Sequence, residues 1–363
     1  MIPEDRPDRI EEAKALEAEG RTEEAAALYR DILEQDPENV RALNNLGTIW
    51  ENDGWLDSAL GLLDRAISTA PEIPVLHYNR GHILQGLDRT EEAIDAYRQA
   101  LALAPGMTAA ARNLSQLLYG EDRLEEAAEV LRHWLTVEPE SAIARHALAA
   151  VTGEGAPDRA ADDYVTGIFD SFSTSYDEKM ARLDYAVPGL LISRLAHLRG
   201  EPAGSLAILD AGCGTGLCAE TLRPYARTLQ GVDLSAGMLA RARDRGLYDE
   251  LTEEELTAAL LSRPGAFDIV VSADTLIYFG DLRPALAAIA VGLRPSGHAL
   301  FSVERLDEDD GFRLGPSGRY LHSRRHIEEA LAATGLTAIK IEELTLRREA
   351  GKDVAGYLVI AER

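Results

Sequence analysis

The sequence predicts an α + α/β chain, with an N-terminal α-solenoid of helical repeats followed by a parallel sheet that carries helices on both faces. Three observations predict it. Residues recur at a 34-residue spacing up to Pro139, strand-like and helix-like runs alternate after residue 205, and a glycine-rich turn, "ILDAGCGTGL" (208–217), follows the first of those strands. A chain of 363 residues also has room for two domains.

The repeats come first. Pro37, Pro71, Pro105 and Pro139 are evenly spaced, as are Ala25, Ala59, Ala93 and Ala127. That period belongs to the tetratricopeptide (TPR) helix-turn-helix, whose small residues let paired helices approach and whose proline ends the second helix. The stretch "LNNLGTIWENDGWLDSALGLLDRAISTAP" places Leu46, Gly47, Ala59, Ala66 and Pro71 in register, and "YNRGHILQGLDRTEEAIDAYRQALALAP" repeats the pattern. The first repeat is looser, as a terminal cap can be. Residues 141–151 read as a closing amphipathic helix, so residues 1–151 are expected to hold four repeats plus a cap. Asn45, Asn79 and Asn113 share the period. In tetratricopeptide proteins such positions line a groove, which implies an amide ladder for an extended peptide partner or for self-association. The other reading of these asparagines is bonding within the stack.

A linker is expected at 152–160, where "TGEGAPD" supplies glycine and proline. From 161 to 363 the pattern changes. Strands are expected at 206–212, 228–234, 266–274 and 297–304, with helices near 217–226, 236–246, 281–293 and 324–334. Such alternation predicts a parallel sheet. "LTAIKIEEL" and "VAGYLVIAE" then lie close enough to pair antiparallel.

Composition narrows the function. A formal charge of −25 disfavours non-specific nucleic-acid binding, and the first 155 residues are the more acidic part, with 30 acidic against 14 basic side chains. The start, "MIPEDRPDRIEE", lacks the parts of a secretory signal, and no apolar run reaches the ~18 residues of a membrane span. A cytoplasmic protein is expected, with no membrane partner. Cys213 and Cys218 have no histidine nearby to complete a metal site.

The glycine turn points to a ligand. A dinucleotide site wants G-x-G-x-x-G, but the third position here is Leu217, and Asp210 stands two residues before the first glycine. A carboxylate there repels phosphate and can accept hydrogen bonds from an ammonium group. Both residues disfavour a nicotinamide-dependent oxidoreductase. An amino acid joined to a nucleoside fits better, which points to S-adenosylmethionine. Asp233 ends the next strand at the spacing of a ribose-binding carboxylate.

These pieces, with "GVDLSAGML", "FDIVVSADTLIYFGDL" and "GLRPSGHALFSVE", resemble class I S-adenosylmethionine-dependent methyltransferases, specifically the group around quinone-biosynthesis methyltransferases. The whole chain resembles bacterial methyltransferases that carry TPR repeats. The resemblance implies a Rossmann-like domain, with a seven-stranded sheet whose last strand is antiparallel, and "IFDSFSTSYDEKMARLDYAVP" resembles the lid of these enzymes. It implies that Asp210, Gly212, Cys213, Gly214 and Gly216 bind the methionine and ribose portion, Asp233 the ribose hydroxyls, and Leu234 and Met238 one face of adenine. Relatives carry an aspartate for the adenine amino group where this chain reads "YDELTEEELTAAL", and Glu255 is the nearest equivalent. Phe172 stands where the lid has an aromatic, which leaves Tyr176 for a hydroxyl contact.

Chemistry is expected from the loops after the fourth and fifth strands, which offer Asp274 and Tyr278, then Arg319, Tyr320 and His322. His322 suits a general base, with flanking the Ser323 helix cap as its other reading. Tyr320 suits substrate orientation, Asp274 a cofactor or substrate contact, and His326 is expected to face solvent. The acceptor is expected to be a small molecule or a peptide. The competing expectation is a TPR scaffold whose methyltransferase-like domain binds cofactor without catalysis.

Overall fold

The computed structural model describes residues 9–308, 311–349 and 351–363. They divide into two compact units, one ending at Ala144 and one running from Arg145 to Arg363.

The first unit consists of helix pairs: α1 (Arg9–Ala18) with α2 (Thr22–Gln35), α3 (Val40–Asn52) with α4 (Leu56–Thr69), α5 (Pro74–Gly86) with α6 (Thr90–Leu103), and α7 (Thr108–Gly120) with α8 (Leu124–Val137). Gly20, Gly54, Asp88 and Asp122 occupy the turns inside the pairs, all at positive φ, so the 34-residue period extends to a left-handed backbone position that glycine or aspartate tolerates. The four periodic alanines are fully buried at the packing seams. At Gly47 a Cβ would come within 2.3 Å of the Leu63 side chain, so the glycine permits the close approach of α3 and α4.

The asparagine ladder requires correction. Asn45 donates to the Tyr29 hydroxyl at 2.9 Å and Asn113 to the Tyr97 hydroxyl at 3.2 Å, each from one helix pair to the pair before it. The position equivalent to those tyrosines beside Asn79 is Leu63, which offers no acceptor. Asn79 instead donates to Asn44 Oδ1 at 2.8 Å, and Asn44 donates to Asn45. Each of the three amides therefore uses one of its two N–H donors within the stack.

The closing helix α9 (Ala142–Thr152) continues into the second unit, so the division falls inside it rather than at the expected linker. Ala149 and Ala150 pack with Leu314, Tyr320 and Phe312, and the His146 ring bonds the Gly318 carbonyl at 2.9 Å. Next come α10 (Asp162–Phe172), α11 (Tyr176–Arg182) and α12 (Val187–Arg199).

The sheet strands are β1 (Leu206–Ala211), β2 (Ala226–Asp233), β3 (Glu250–Glu253), β4 (Phe267–Ser272), β5 (Leu293–Arg305), β6 (Phe312–Leu314), β7 (Tyr320–His322), β8 (Thr337–Glu349) and β9 (Lys352–Glu362). The order β3-β2-β1-β4-β5 is parallel throughout, and β9 then pairs antiparallel with β5 on one side and β8 on the other. That is the expected seven-stranded core with its antiparallel final strand. The hairpin β6–β7 is an unforeseen addition, joined to the far end of β5 through Glu304 and Arg305. Ile208 and Leu209 on central β1 face opposite sides. Ile208 packs with Leu195 of α12, and Leu209 packs with Leu286 of α16 (Arg283–Gly292).

Two expected elements differ. The helix near 217–226 is the short α13 (Ala219–Leu222) followed by a 3-10 turn holding Pro224, whose ring and missing N–H do not suit a longer helix. The strand β3 escaped notice because "ELTE" is a polar edge strand with no buried residue. Among the described residues no helix is long and apolar enough to cross a membrane.

Candidate functional site

The chain leaves β1 toward β2 and β3 on one side, then crosses to β4 on the other, so the carboxyl ends of β1 and β4 form the switch point where open α/β sheets hold ligands. Gly212 sits there with φ +77. A Cβ on it would strike the Thr275 side chain at 2.2 Å, and the Thr275 hydroxyl donates to the Gly212 carbonyl at 3.2 Å. The glycine therefore lets the loops after β1 and β4 meet at the floor of a cleft lined by Asp233, Leu234, Met238, Glu255 and Asp274.

Asp233 ties the cleft's second wall to the first. Its Oδ2 accepts from the Gly214 amide at 2.8 Å and its Oδ1 from the Ser235 amide at 2.9 Å. A carboxylate has about four acceptor sites, so lone pairs remain for hydroxyl groups. Burial pushes its pKa above the usual aspartate value, against the pull of those amides. Leu234, Met238 and Leu256 supply an apolar slot alongside. At the slot's end Glu255 caps α15 (Leu256–Leu261), accepting through Oε2 from the amides of Thr257 and Ala258. Its Oε1 is buried, accepts no hydrogen bond and stands 3.3 Å from the Arg159 guanidinium.

A smaller hollow behind Gly212 and Gly214 is lined by Asp210, Cys213, Tyr176 and Tyr185. Asp210 is 1% exposed, and burial raises its pKa to about 7. The Tyr248 hydroxyl donates to its Oδ2 at 2.7 Å, which favours the charged form and opposes that rise. Gly216 lines neither hollow, and a Cβ on it would come within 3.0 Å of the Tyr248 ring, so it makes room for the partner of Asp210.

The lid elements close the cleft with Phe169 and Tyr176. Two carboxylates fasten them: Asp170 accepts from the Ser235 hydroxyl at 2.5 Å, while Asp177 accepts from the Thr215 hydroxyl at 2.5 Å and pairs with Arg245. Phe172 stacks on Tyr176, with ring centroids 5.8 Å apart.

Of the five residues expected to offer chemistry, the cleft contains two. Asp274 and Tyr278 line it, but His322 and Tyr320 do not. His322 is fully buried in β7, where its Nε2 bonds the Phe279 carbonyl at 2.8 Å and burial pushes its pKa down to about 3. Such an imidazole is neutral and out of reach, so it braces the back of the wall that Phe279 forms. Tyr320 is equally buried and donates to the Pro157 carbonyl at 2.6 Å. His326 is buried at the start of α17 (Arg324–Ala333), beside Phe312, rather than facing solvent. Arg319 is spent on Glu304 and Glu349. The loop after β5 is thus diverted into the β6–β7 hairpin.

Sequence reasoning did not anticipate Tyr248, Thr275, Arg159, Ser302 or Arg347. Thr275 adjoins Asp274 in the quoted loop and could have been found by asking what meets the first glycine. The others carry no local signal, since each reaches the site from a distant segment of the chain.

The geometry agrees with what known proteins show. Residues 209–301 match the family described as a methyltransferase domain, and residues 10–72 and 74–107 match tetratricopeptide repeat families. A human protein called methyltransferase-like protein 27 is 41% identical over 105 residues, covering 28% of this chain and 43% of its own length. The ubiquinone biosynthesis O-methyltransferase of Ralstonia nicotianae is 31% identical over 109 residues, covering 28% and 44%. A crystal structure of an S-adenosylmethionine-dependent methyltransferase from Mesorhizobium loti is 26% identical, covering 47% of this chain and 96% of that one, with a TM-score of 0.37. The chain spans a little under half the length of the two curated relatives. Residues 209–301 thus resemble a methyltransferase domain, with matches to tetratricopeptide repeats before it.

Proposed function

We propose that the protein is an S-adenosylmethionine-dependent methyltransferase acting on a small-molecule or peptide acceptor, with its TPR unit serving protein interaction or self-association. One observation carries the reading: at the carboxyl ends of β1 and β2 two carboxylates, the buried Asp210 and the half-buried Asp233, flank a backbone floor of Gly212 and Gly214. The arginine in the cleft lining, Arg159, is paired with Asp162 and Glu255. Such a site suits a ligand with an ammonium group and sugar hydroxyls and disfavours one with phosphates.

The residues fit the cofactor. Asp210 would hold the methionine ammonium, Asp233 the ribose hydroxyls, Leu234, Met238 and Leu256 the adenine faces, and the Glu255 Oε1 lone pairs the adenine amino group. Tyr176 and Cys213 would enclose the methionine end. When bound, the cofactor supplies a methyl group activated on a sulfonium. The chain's own contribution is to orient the acceptor, to exclude water beneath Phe169 and Tyr176, and to take a proton at the Asp274 carboxylate. Asp274 replaces His322 in that role because it lines the cleft and His322 does not.

The scaffold alternative gains no support from a cleft whose walls, floor and facing carboxylate are all in place. Calorimetry with S-adenosylhomocysteine and with NADH tests the proposal: the first should bind and the second should not. Labelled methyl donor and a cell extract then identify the product. A folded chain that fails to bind S-adenosylhomocysteine would overturn the reading.

A further inference from the structure

The side chain of Arg347, on β8, is 4% exposed, yet it meets three carboxylates. Its Nη1 donates to Asp274 Oδ2 at 2.6 Å, its Nη2 to Glu304, and its Nε to Glu349 Oε1 at 2.7 Å. Arg319, just before β7, repeats the bridge, with Nε donating to Glu304 Oε1 at 2.5 Å and Nη2 to Glu349 Oε2 at 2.7 Å. Arg347, Glu304, Arg319 and Glu349 thus form a closed ring across β5, β7 and β8. Asp274 hangs from it, and of the three carboxylates it alone lines the cleft.

The aspartate is held from its other side as well. The Ser302 hydroxyl donates to Asp274 Oδ1 at 2.6 Å and accepts from the Asp274 amide at 2.8 Å. The residue sits at φ +51, a conformation that a non-glycine residue keeps only where its surroundings impose it. Burial without a partner would neutralise this carboxyl, and a buried guanidinium in direct contact opposes that. We propose that Arg347 is a positioning residue, which fixes the Asp274 carboxylate at the cleft wall as an anion ready to receive the acceptor's proton. This rests on the methyltransferase reading for the acceptor, but not for the contact between the two residues.

The groups facing Asp274 are Arg347 from β8, Glu304 and Ser302 from β5, Arg319 from the hairpin, Tyr176 and Tyr185 from the lid region, Tyr278 from its own loop, and Cys218. Of these only Arg347 and Ser302 bond the carboxylate directly. The competing role for the ring is a staple between strands, and the two roles separate in a titration. The full chain is labelled with aspartate carrying ¹³C at the side-chain carboxyl, and the Asp274 resonance is identified by its loss in Asp274→Asn. Arg347→Gln should raise the Asp274 midpoint by about 1–3 pH units, and Arg347→Lys should restore most of the difference. Glu349→Gln breaks the ring without touching Asp274 and should leave the midpoint in place or lower it, because Arg347 loses a competing anion. An unmoved midpoint in folded Arg347→Gln overturns the proposal, as does an equal upward shift in Glu349→Gln. Should Arg347→Gln not fold, Glu349→Gln decides: a midpoint left in place or lowered supports the proposal, and an upward shift overturns it. Label transfer into extract should fall in Arg347→Gln and move to higher pH, whereas an equal loss at every pH supports the staple. Calorimetry with S-adenosylhomocysteine on the same samples reports separately on the methyltransferase reading.

Discussion

Lowering the pH from 8 to 6 should weaken S-adenosylhomocysteine binding about tenfold, and Asp210 is the reason. Its carboxyl is buried and titrates at about 7. It would therefore be roughly 90% charged at pH 8 and roughly 10% at pH 6. If only the charged form holds the ligand's ammonium, the loss is about 1.4 kcal/mol. Binding would then draw the carboxyl's pKa down and release a proton near pH 7, readable by calorimetry in two buffers of different ionisation enthalpy. Tyr248→Phe removes the hydrogen bond that favours the charged carboxylate and should move the profile to higher pH. Asp210→Asn should flatten it at weak affinity. The unliganded protein checks the sign. A folded pKa above the unfolded value of about 3.9 means that the folded state binds more protons between those values, so stability falls as pH rises from about 4 to 7. Asp210→Asn should therefore raise the unfolding midpoint more at pH 8 than at pH 5, with up to about 4 kcal/mol available at the higher pH. A flat wild-type binding profile, or a slope that survives in Asp210→Asn, refutes the reasoning.

Three further substitutions test corrected assignments. His322→Ala should leave S-adenosylhomocysteine affinity within about twofold but destabilise the second unit by about 2–3 kcal/mol, read by urea unfolding, because a buried ring and its bond to the Phe279 carbonyl are lost. Intact stability with lost transfer would return it to catalysis. Asn45→Ala and Asn113→Ala should each cost the repeat unit about 1 kcal/mol through their tyrosine partners, and unchanged unfolding curves would restore the asparagines to a binding role.

Local pattern determined much of this protein. The 34-residue recurrence of alanine and proline was enough for the helical repeats, since each unit repeats the same seam and the same turn. The turn 208–217 was enough for the cleft's floor and for Asp210, because strand, acid and glycine are neighbours in the chain, and Asp233 followed from its place at the end of the next strand. Only tertiary structure decided the rest. Tyr248 meets Asp210 across 38 residues and Arg347 meets Asp274 across 73, and neither separation has a period or spacing from which to read it. His322 looked like a base because an exposed imidazole titrates near neutrality. Its burial behind Phe279 comes from a short hairpin on the end of β5, and three-residue strands leave too little pattern to foresee. Asn79 bonds Asn44 because the position that holds tyrosine beside Asn45 and Asn113 holds leucine there. Periodicity shows which residues recur, while the side chain opposite determines what each of them does.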